Sequence, residues 1–423
     1  MVQLTDDCFA FSGPLLPVVD MERLIQERIT TVTEVEEVAL DDALGRIVAT
    51  EVIATENLPP FDNAAVDGFA VRHADLVPGA ESRFGVAGRV MAGHAPHPLV
   101  PGVAVRIFTG APMPEGADTV FMQEDCRLDG DAVVLPAGLQ AGANRRLAGE
   151  DLRRGAVMFP AGRKLNPADV ALAAGQGLTG LPVRRQLRVA LFSTGDEVVD
   201  PGARRPSAGI YDANRHLVRG LLKKFGAIVT DLGILRDDVE VLKTAIAAAA
   251  AGHDLVITTG GVSTGDADHV RAAIENIGRL VFWRVAIKPG RPVALGVLPA
   301  AGSDHAAVFA GLPGNPGAVY VTFVRVVWPL LLRLAGGLPR QSVPLPVRST
   351  FPYRKRKGRR EYVRVSLRPG DHGVVEAVKY PQDGAGVITS LTETDGLVEL
   401  GEDVTVVAPG AIVGFLSHAV LTE

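Results

Sequence analysis

The sequence predicts a multidomain α/β protein built around a doubly wound, mostly parallel sheet. Three observations lead there. Between about 187 and 334, strand-like runs alternate with helical runs, the order expected of βαβ units. From about 46 to 149, and again after about 338, short β-rich runs alternate with Gly and Pro, the pattern of small all-β units. The chain has 423 residues, which suggests roughly two to four domains.

Each element follows in order. Residues 18–30, VVDMERLIQERIT, place Met21, Leu24, Ile25 and Ile29 on one helical face. A β-rich domain is expected over 46–149, from runs such as RIVATEVIAT, GFAVR and AVRIFTG. Residues 1–45 and 150–180 form a discontinuous helical and linker domain. Its helix, NPADVALAAGQGL, has Asn166 as N-cap and Pro167 at the first helical position. The α/β domain spans 181–337 and contains the strands LRVALFST, AIVTDLGIL, DLVITT, RPVALGVL and AAVFAGL. Its helices include DANRHLVRGLLKKFG, DDVEVLKTAIAAAAAG, one from about Ala267, and a long one from Pro316 to about Leu334. Residues 338–423 form a C-terminal β domain.

Composition narrows the function. Aromatic residues are 5% and the net charge is −5, which gives neither a stacking platform for nucleic acid nor attraction to an anionic membrane. Two cysteines, Cys8 and Cys126, lack CxxC spacing, so no disulfide framework or zinc site is expected and a reducing cytoplasm fits. The N-terminus lacks a basic n-region, and the Ala-rich run near 245–259 is too interrupted to span a bilayer.

In an open parallel sheet, ligands bind outside the carboxyl ends of the strands. The segments there are STGDE with Asp196 and Glu197, Arg236-Asp237-Asp238, TTGGVSTGDADH, KPGRP and GLPGNP. Together they bring carboxylates, Lys288, Arg291 and many glycines to one edge. Glycines let backbone N–H groups approach an anion, helix N-termini favour phosphate, and carboxylates suit Mg²⁺. A pocket for a phosphorylated small molecule is expected. GGVSTG is neither a Walker A loop nor GxGxxG, an acidic pair before a helix also reads as a cap, and the nine histidines form no ligand-spaced set. The stretch PPFDNAAVDGFAV carries Asp62 and Asp67; its Asp-Gly pair reads as a turn or as a carboxylate held by a tight backbone.

Taken together, PPFDNAAVDGFAV, RIFTGAPMPEGADTV, RRLAGED, STGDE, TTGGVSTGDAD, IKPGRP, GLPGNP and GRREYVR resemble the molybdopterin molybdenumtransferases. These are the MoeA-like molybdenum insertases, which include the C-terminal region of gephyrin. The resemblance implies a homodimer that takes adenylylated molybdopterin and molybdate, uses Mg²⁺, releases AMP and leaves molybdenum cofactor. It places functional roles on Asp67, Thr109, Arg146, Asp151, Glu197, Asp237 and Asp268, with Glu197, Asp237 and Asp268 as Mg²⁺ candidates. For substrate binding it points to Gly260, Gly261, Ser263, Lys288, Arg291, Pro313, Gly314, Asn315, Arg360 and Ser390. Molybdopterin adenylyltransferase and recipient molybdoenzymes are the implied protein partners. This chain departs from the family pattern with Ala64-Ala65-Val66 before Asp67, Phe69 after the turn, and Arg284 and Arg291 where lysines are commoner. Two other readings of the same motifs are an ATP-dependent molybdopterin adenylyltransferase and a non-catalytic scaffold.

Overall fold

The computed structural model describes residues 15–261, 269–290, 292–299, 306–339 and 342–422. Its centre is a six-stranded sheet in the order Ile228–Leu235, Arg188–Thr194, Leu255–Thr259, Ala306–Leu312, Pro292–Pro299, Arg279–Arg284. The first four strands are parallel. Pro292–Pro299 runs antiparallel to both neighbours, so Arg279–Arg284, a strand the sequence reading did not single out, points the same way as the first four.

Both faces of this sheet are covered, which explains the near-continuous apolar strands. Val189 and Leu191 face the layer made by helices Val18–Arg28, Asn214–Phe225 and the helix 316–334. Ala190 and Phe192 face the layer of Val239–Gly252 and His269–Glu275. The expected amphipathic face of the first helix is the buried one: Met21, Leu24, Ile25 and Ile29 are all in the core. In the third helix of the chain, Val218, Leu221, Leu222 and Phe225 are buried. That helix stops at Gly226, whose φ of 99° suits a residue without Cβ. The helix from Pro316 contains a π-turn over Phe323–Val327, just before Trp328–Leu334. Pro329 has no N–H for the i−4 carbonyl, so the ladder widens there.

The predicted cap at 166 forms a reciprocal box: Asp169 N–H donates to Asn166 Oδ1 at 3.0 Å, and Asn166 N–H to Asp169 Oδ2 at 2.9 Å. Around this helix, Val35–Ala39 pairs with Gly180–Arg184, and Val52–Ile53 with Val157–Phe159. These pairings tie residues 46–58 to the linker segments, and we propose drawing the β-rich unit from 59 to 149. Its sheet runs Thr119–Met122, Gly68–Val71, Val103–Ile107, Ser82–Val90, Ala132–Leu135, Arg127–Asp129.

The C-terminal unit closes on itself. Arg360–Pro369 pairs with Val375–Lys379 on one side and Gly396–Leu400 on the other; Leu345–Ser349 and Ile412–Ser417 complete the ring. Closure removes the open edges of a small sheet. The ring also joins the α/β unit, because Ile287–Lys288 pairs in parallel with Arg360–Glu361.

Candidate active site

The carboxyl edge of the parallel strands carries the expected loops. After Arg188–Thr194, Gly195 has φ 135°, and a Cβ there would stand 2.8 Å from the Glu197 carboxylate. Asp237 follows the strand Ile228–Leu235, 3.5 Å from Thr194 Oγ1 and 3.4 Å from His269 Nδ1. Its neighbour Asp238 is a helix cap, accepting from the N–H groups of Glu240 and Val241 at 3.1 Å each. Gly260 and Gly261 have φ of 82° and 64°. A Cβ on Gly261 would lie 2.4 Å from Thr194 Cγ2 and 2.8 Å from Val270 Cγ2, so the loop packs where no other residue fits. Ser263, Asp268 and Arg291 lie outside the described residues.

Lys288 reaches the same edge by a route the sequence reading did not foresee. KPG follows Arg279–Arg284, which is parallel to the main strands, and precedes the reversed strand Pro292–Pro299. With Pro313 and Asn315 from LPGNP it forms one wall of a cleft of about 380 Å³. The facing wall is the C-terminal barrel, with Tyr353, Tyr362, Arg364, Lys379 and Tyr380. Gly314 accepts from Asn214 Nδ2 at 2.7 Å through its carbonyl. Asn315 stands at the N-cap position without a side-chain capping bond, which leaves its amide to the cleft.

The charges in this cleft are held from behind. Glu361 is 1% exposed and accepts from Tyr353 Oη at 2.9 Å and Arg359 Nε at 2.9 Å, with Lys288 Nζ at 3.3 Å. Burial, then the Glu361 carboxylate, pushes the Tyr353 hydroxyl well above its ordinary pKa. Arg364 donates to the carbonyls of Gly384 and Asp383 at 2.9 and 3.0 Å, and burial lowers its pKa. Lys379 pairs with Asp383 at 2.7 Å. These two cations therefore shape the 380–385 loop as well as facing the cleft. Arg360 and Ser390 stand elsewhere. Arg360 pairs with Glu402 at 3.1 Å and Glu399 at 3.3 Å. Ser390 is fully buried, its hydroxyl donating to Val387 O.

A second group of residues occupies the β-rich unit. Asp67 accepts from both Thr109 N–H at 2.8 Å and Thr109 Oγ1 at 2.7 Å. The Thr109 amide, then its hydroxyl, hold the Asp67 carboxyl below its ordinary pKa, and the Arg106 charge adds to this. Arg106 lies between Phe69 and Phe108, 5.1 and 5.0 Å from their ring centres, and donates to Gly68 O at 3.2 Å. Gly68 is the first residue of a strand and has no positive φ. A Cβ there would fall 1.8 Å from Phe121 O, so close approach to the neighbouring strand is what demands glycine beside Asp67. On the same rim, Arg145–Arg146 pairs with Asn63–Ala64. Arg146 meets Glu150 at 2.6 Å, and Asp151 is exposed with its N–H on Leu58 O at 3.0 Å.

The structure thus brings Asp67 to Thr109, and Lys288 to Pro313 and Asn315. Sequence reasoning missed Tyr353, Arg364, Lys379 and Tyr380. The one available signal was the period-2 run REYVRV, which puts Tyr362 and Arg364 on one face of a strand.

Three family models match successive parts of the chain: MoeA N-terminal region (domain I and II) over 16–177, Probable molybdopterin binding domain over 190–333, and MoeA C-terminal region (domain IV) over 346–417. A molybdopterin molybdenumtransferase of Haemophilus influenzae is 37% identical over 90% of this chain and 95% of its own length. One of Nostoc is also 37% identical, over 89% and 87%. Two solved structures of a molybdopterin biosynthesis MoeA protein from Pyrococcus horikoshii superpose with TM-scores of 0.71 and 0.77. They cover 95% and 96% of this chain, 98% and 100% of their own, at 30% and 26% identity. On this similarity, spanning all three matched regions in order, the chain belongs to the molybdopterin molybdenumtransferase family.

Proposed function

We propose that the chain is a transferase of molybdenum cofactor biosynthesis that cleaves the phosphoanhydride of adenylylated molybdopterin, releases AMP and places molybdate on the dithiolene sulfurs. The observation that carries this reading is the convergence of Gly260-Gly261, Lys288 and Pro313–Asn315 at the carboxyl edge of a parallel sheet. Lys288, with Arg364 and Lys379 opposite, gives the cleft the cations an oxyanion requires. Arg291 and Ser263 belong to the same proposal.

Among the described residues no three Asp, Glu, His or Cys side chains cluster as a metal cage. Mg²⁺ ordinarily takes one or two carboxylates and completes its shell with phosphate oxygens and water. Glu197 and Asp237, both bordering the Thr194-Gly195 turn, fit that demand and would hold the ion, with Asp268 as the further candidate. The bound ion would neutralise charge building on the phosphoanhydride. Asp67, kept ionised by Thr109, with Arg146 and Asp151 on the same rim, belongs to the β-rich unit. We assign these residues to a site completed across a homodimer, working in the cytoplasm.

The test is AMP release from adenylylated molybdopterin by the purified chain with Mg²⁺, with and without molybdate. Molybdate-stimulated release, with product that activates a cofactor-free molybdoenzyme, is the expected result. Formation of adenylylated molybdopterin from ATP and molybdopterin, without AMP release, would replace it with an adenylyltransferase. Neither activity in folded protein would leave a scaffold.

A further inference from the structure

We propose that His418 is a positioning residue that pins the two walls of the cleft together through an ordered hydrogen-bond relay. The inference takes from the proposed function only that this cleft is where substrate binds.

The relay crosses between units. Tyr320 lies on the helix that begins at Pro316, two residues beyond Ala318 of the cleft wall. Its hydroxyl is 2.7 Å from His418 Nδ1, and the two rings meet edge to face at 5.2 Å. His418 Nε2 is 3.3 Å from Thr394 Oγ1, and Thr394 Oγ1 donates to Ser390 O at 2.6 Å. Ser390 sits in the short helix Thr389–Thr392, which terminates the loop carrying Tyr380, Gln382 and Asp383 of the opposite wall.

With a neutral ring, only one set of proton positions satisfies the whole chain. Thr394 spends its proton on Ser390 O, so it accepts from His418, which then carries its proton on Nε2. His418 Nδ1 is left as an acceptor for the Tyr320 hydroxyl. Burial raises the Tyr320 pKa, so its proton stays in place. A neutral His418 gives that proton its acceptor; a protonated ring would instead donate from Nδ1 to Tyr320 Oη and leave the hydroxyl proton without one. Burial lowers its pKa from 6.5; Asp395 opposes that shift and Lys224, from the helix Asn214–Phe225, adds to it. A histidine whose folded pKa lies below its unfolded value contributes fully above the unfolded pKa and loses stability as pH falls through it. The stability the pin contributes is thus full above about pH 6.5 and declines below it, and the pin itself opens as pH falls through the lowered folded value.

Amide hydrogen exchange on the full chain tests it. Tyr320→Phe and His418→Phe should each speed exchange of 380–392 by about tenfold, while the barrel strand Gly396–Leu400 keeps its protection. His418→Gln, which keeps a donor and an acceptor, should restore part of it. With adenylylated molybdopterin, KM should rise several-fold and kcat hold. Nitrogen NMR of the wild-type chain should find His418 protonated on Nε2, titrating below 6.5. Unchanged exchange in folded Tyr320→Phe, or an Nδ1–H tautomer, overturns the pin. Failure of the wild-type chain to release AMP overturns the functional reading instead, and the exchange result still decides the pin.

Discussion

The Asp67 corner and the Lys288 cleft handle charge in opposite ways. Asp67 is fixed by one residue, Thr109, whose N–H and hydroxyl both point at the carboxylate. The arrangement is local to the sheet and partly exposed. In the cleft, Lys288 answers to Glu361, which also serves Arg359 and Tyr353, and Arg364 and Lys379 hold a loop of the same wall. There the Lys288–Glu361 pair joins two units, and the other charges hold the wall that faces Lys288. A change at the corner should therefore reach chemistry without touching stability. At the buried Glu361 behind the cleft, both should move together.

The strongest test of that contrast is Asp67→Asn. The side chain keeps its shape and its place beside Thr109 but loses its charge. AMP release should fall by about a hundredfold or more, with the denaturation midpoint unchanged. Full activity in the variant would remove Asp67 from the mechanism.

Glu361→Gln should do the reverse. The carboxylate is 1% exposed, and its loss leaves Arg359 and Lys288 without their shared anion. Unfolding free energy should drop by about 1–3 kcal/mol, read by urea titration, and molybdate affinity should weaken with it. Lys288→Met separates the two effects, because Lys288 is half exposed and Glu361 keeps Arg359 and Tyr353. Molybdate binding by calorimetry should weaken while stability barely moves. A large stability loss there would mean that Lys288 is structural.

The same contrast explains what the sequence reveals. The corner residues Asp67 and Thr109 sit in short motifs, DG and IFTG, which is how the resemblance reached them, and the βαβ order put the STGDE, Gly260-Gly261 and GLPGNP segments after parallel strands. Even so, the Asp-Gly pair alone leaves open a turn or a carboxylate held by a tight backbone, and the constraint on Gly68 is a carbonyl on the next strand. The cleft was half legible. Lys288, Pro313 and Asn315 follow strands of the parallel sheet, but Arg364, Lys379 and Tyr380 come from a barrel wall. Nothing local in the sequence says that this wall faces KPG; the pairing of Ile287–Lys288 with Arg360–Glu361 does. The reversed strand Pro292–Pro299 was hidden for a similar reason. Buried on both faces, it reads as an apolar run whichever way it points.

Gly261→Ala probes the edge between the two regions. Its φ of 64° and the 2.4 Å approach to Thr194 Cγ2 both oppose a side chain. The variant should lose about 1–3 kcal/mol and bind adenylylated molybdopterin less tightly, measured by urea unfolding and by titration. A neutral outcome would show that the loop shifts without cost, and would weaken the case for backbone recognition there.

The smallest effect sharpens the comparison most. Thr109→Val removes one of the two donors to Asp67 and keeps the shape of the other. Because the Thr109 bonds hold the Asp67 pKa down, ionised Asp67 is present above the ordinary carboxylate range and is lost only as pH falls through the lowered value. Without the hydroxyl, that value should move back toward the ordinary 3.8, and the acid limb of AMP release should shift upward with it. Activity at neutral pH should hold, because Asp67 stays charged there either way. Carbonyl-carbon NMR of Asp67 reads the shift directly. If the acid limb stays fixed while the Asp67 signal moves, another group sets the limb, and the Glu197 and Asp237 edge becomes the place to look for it.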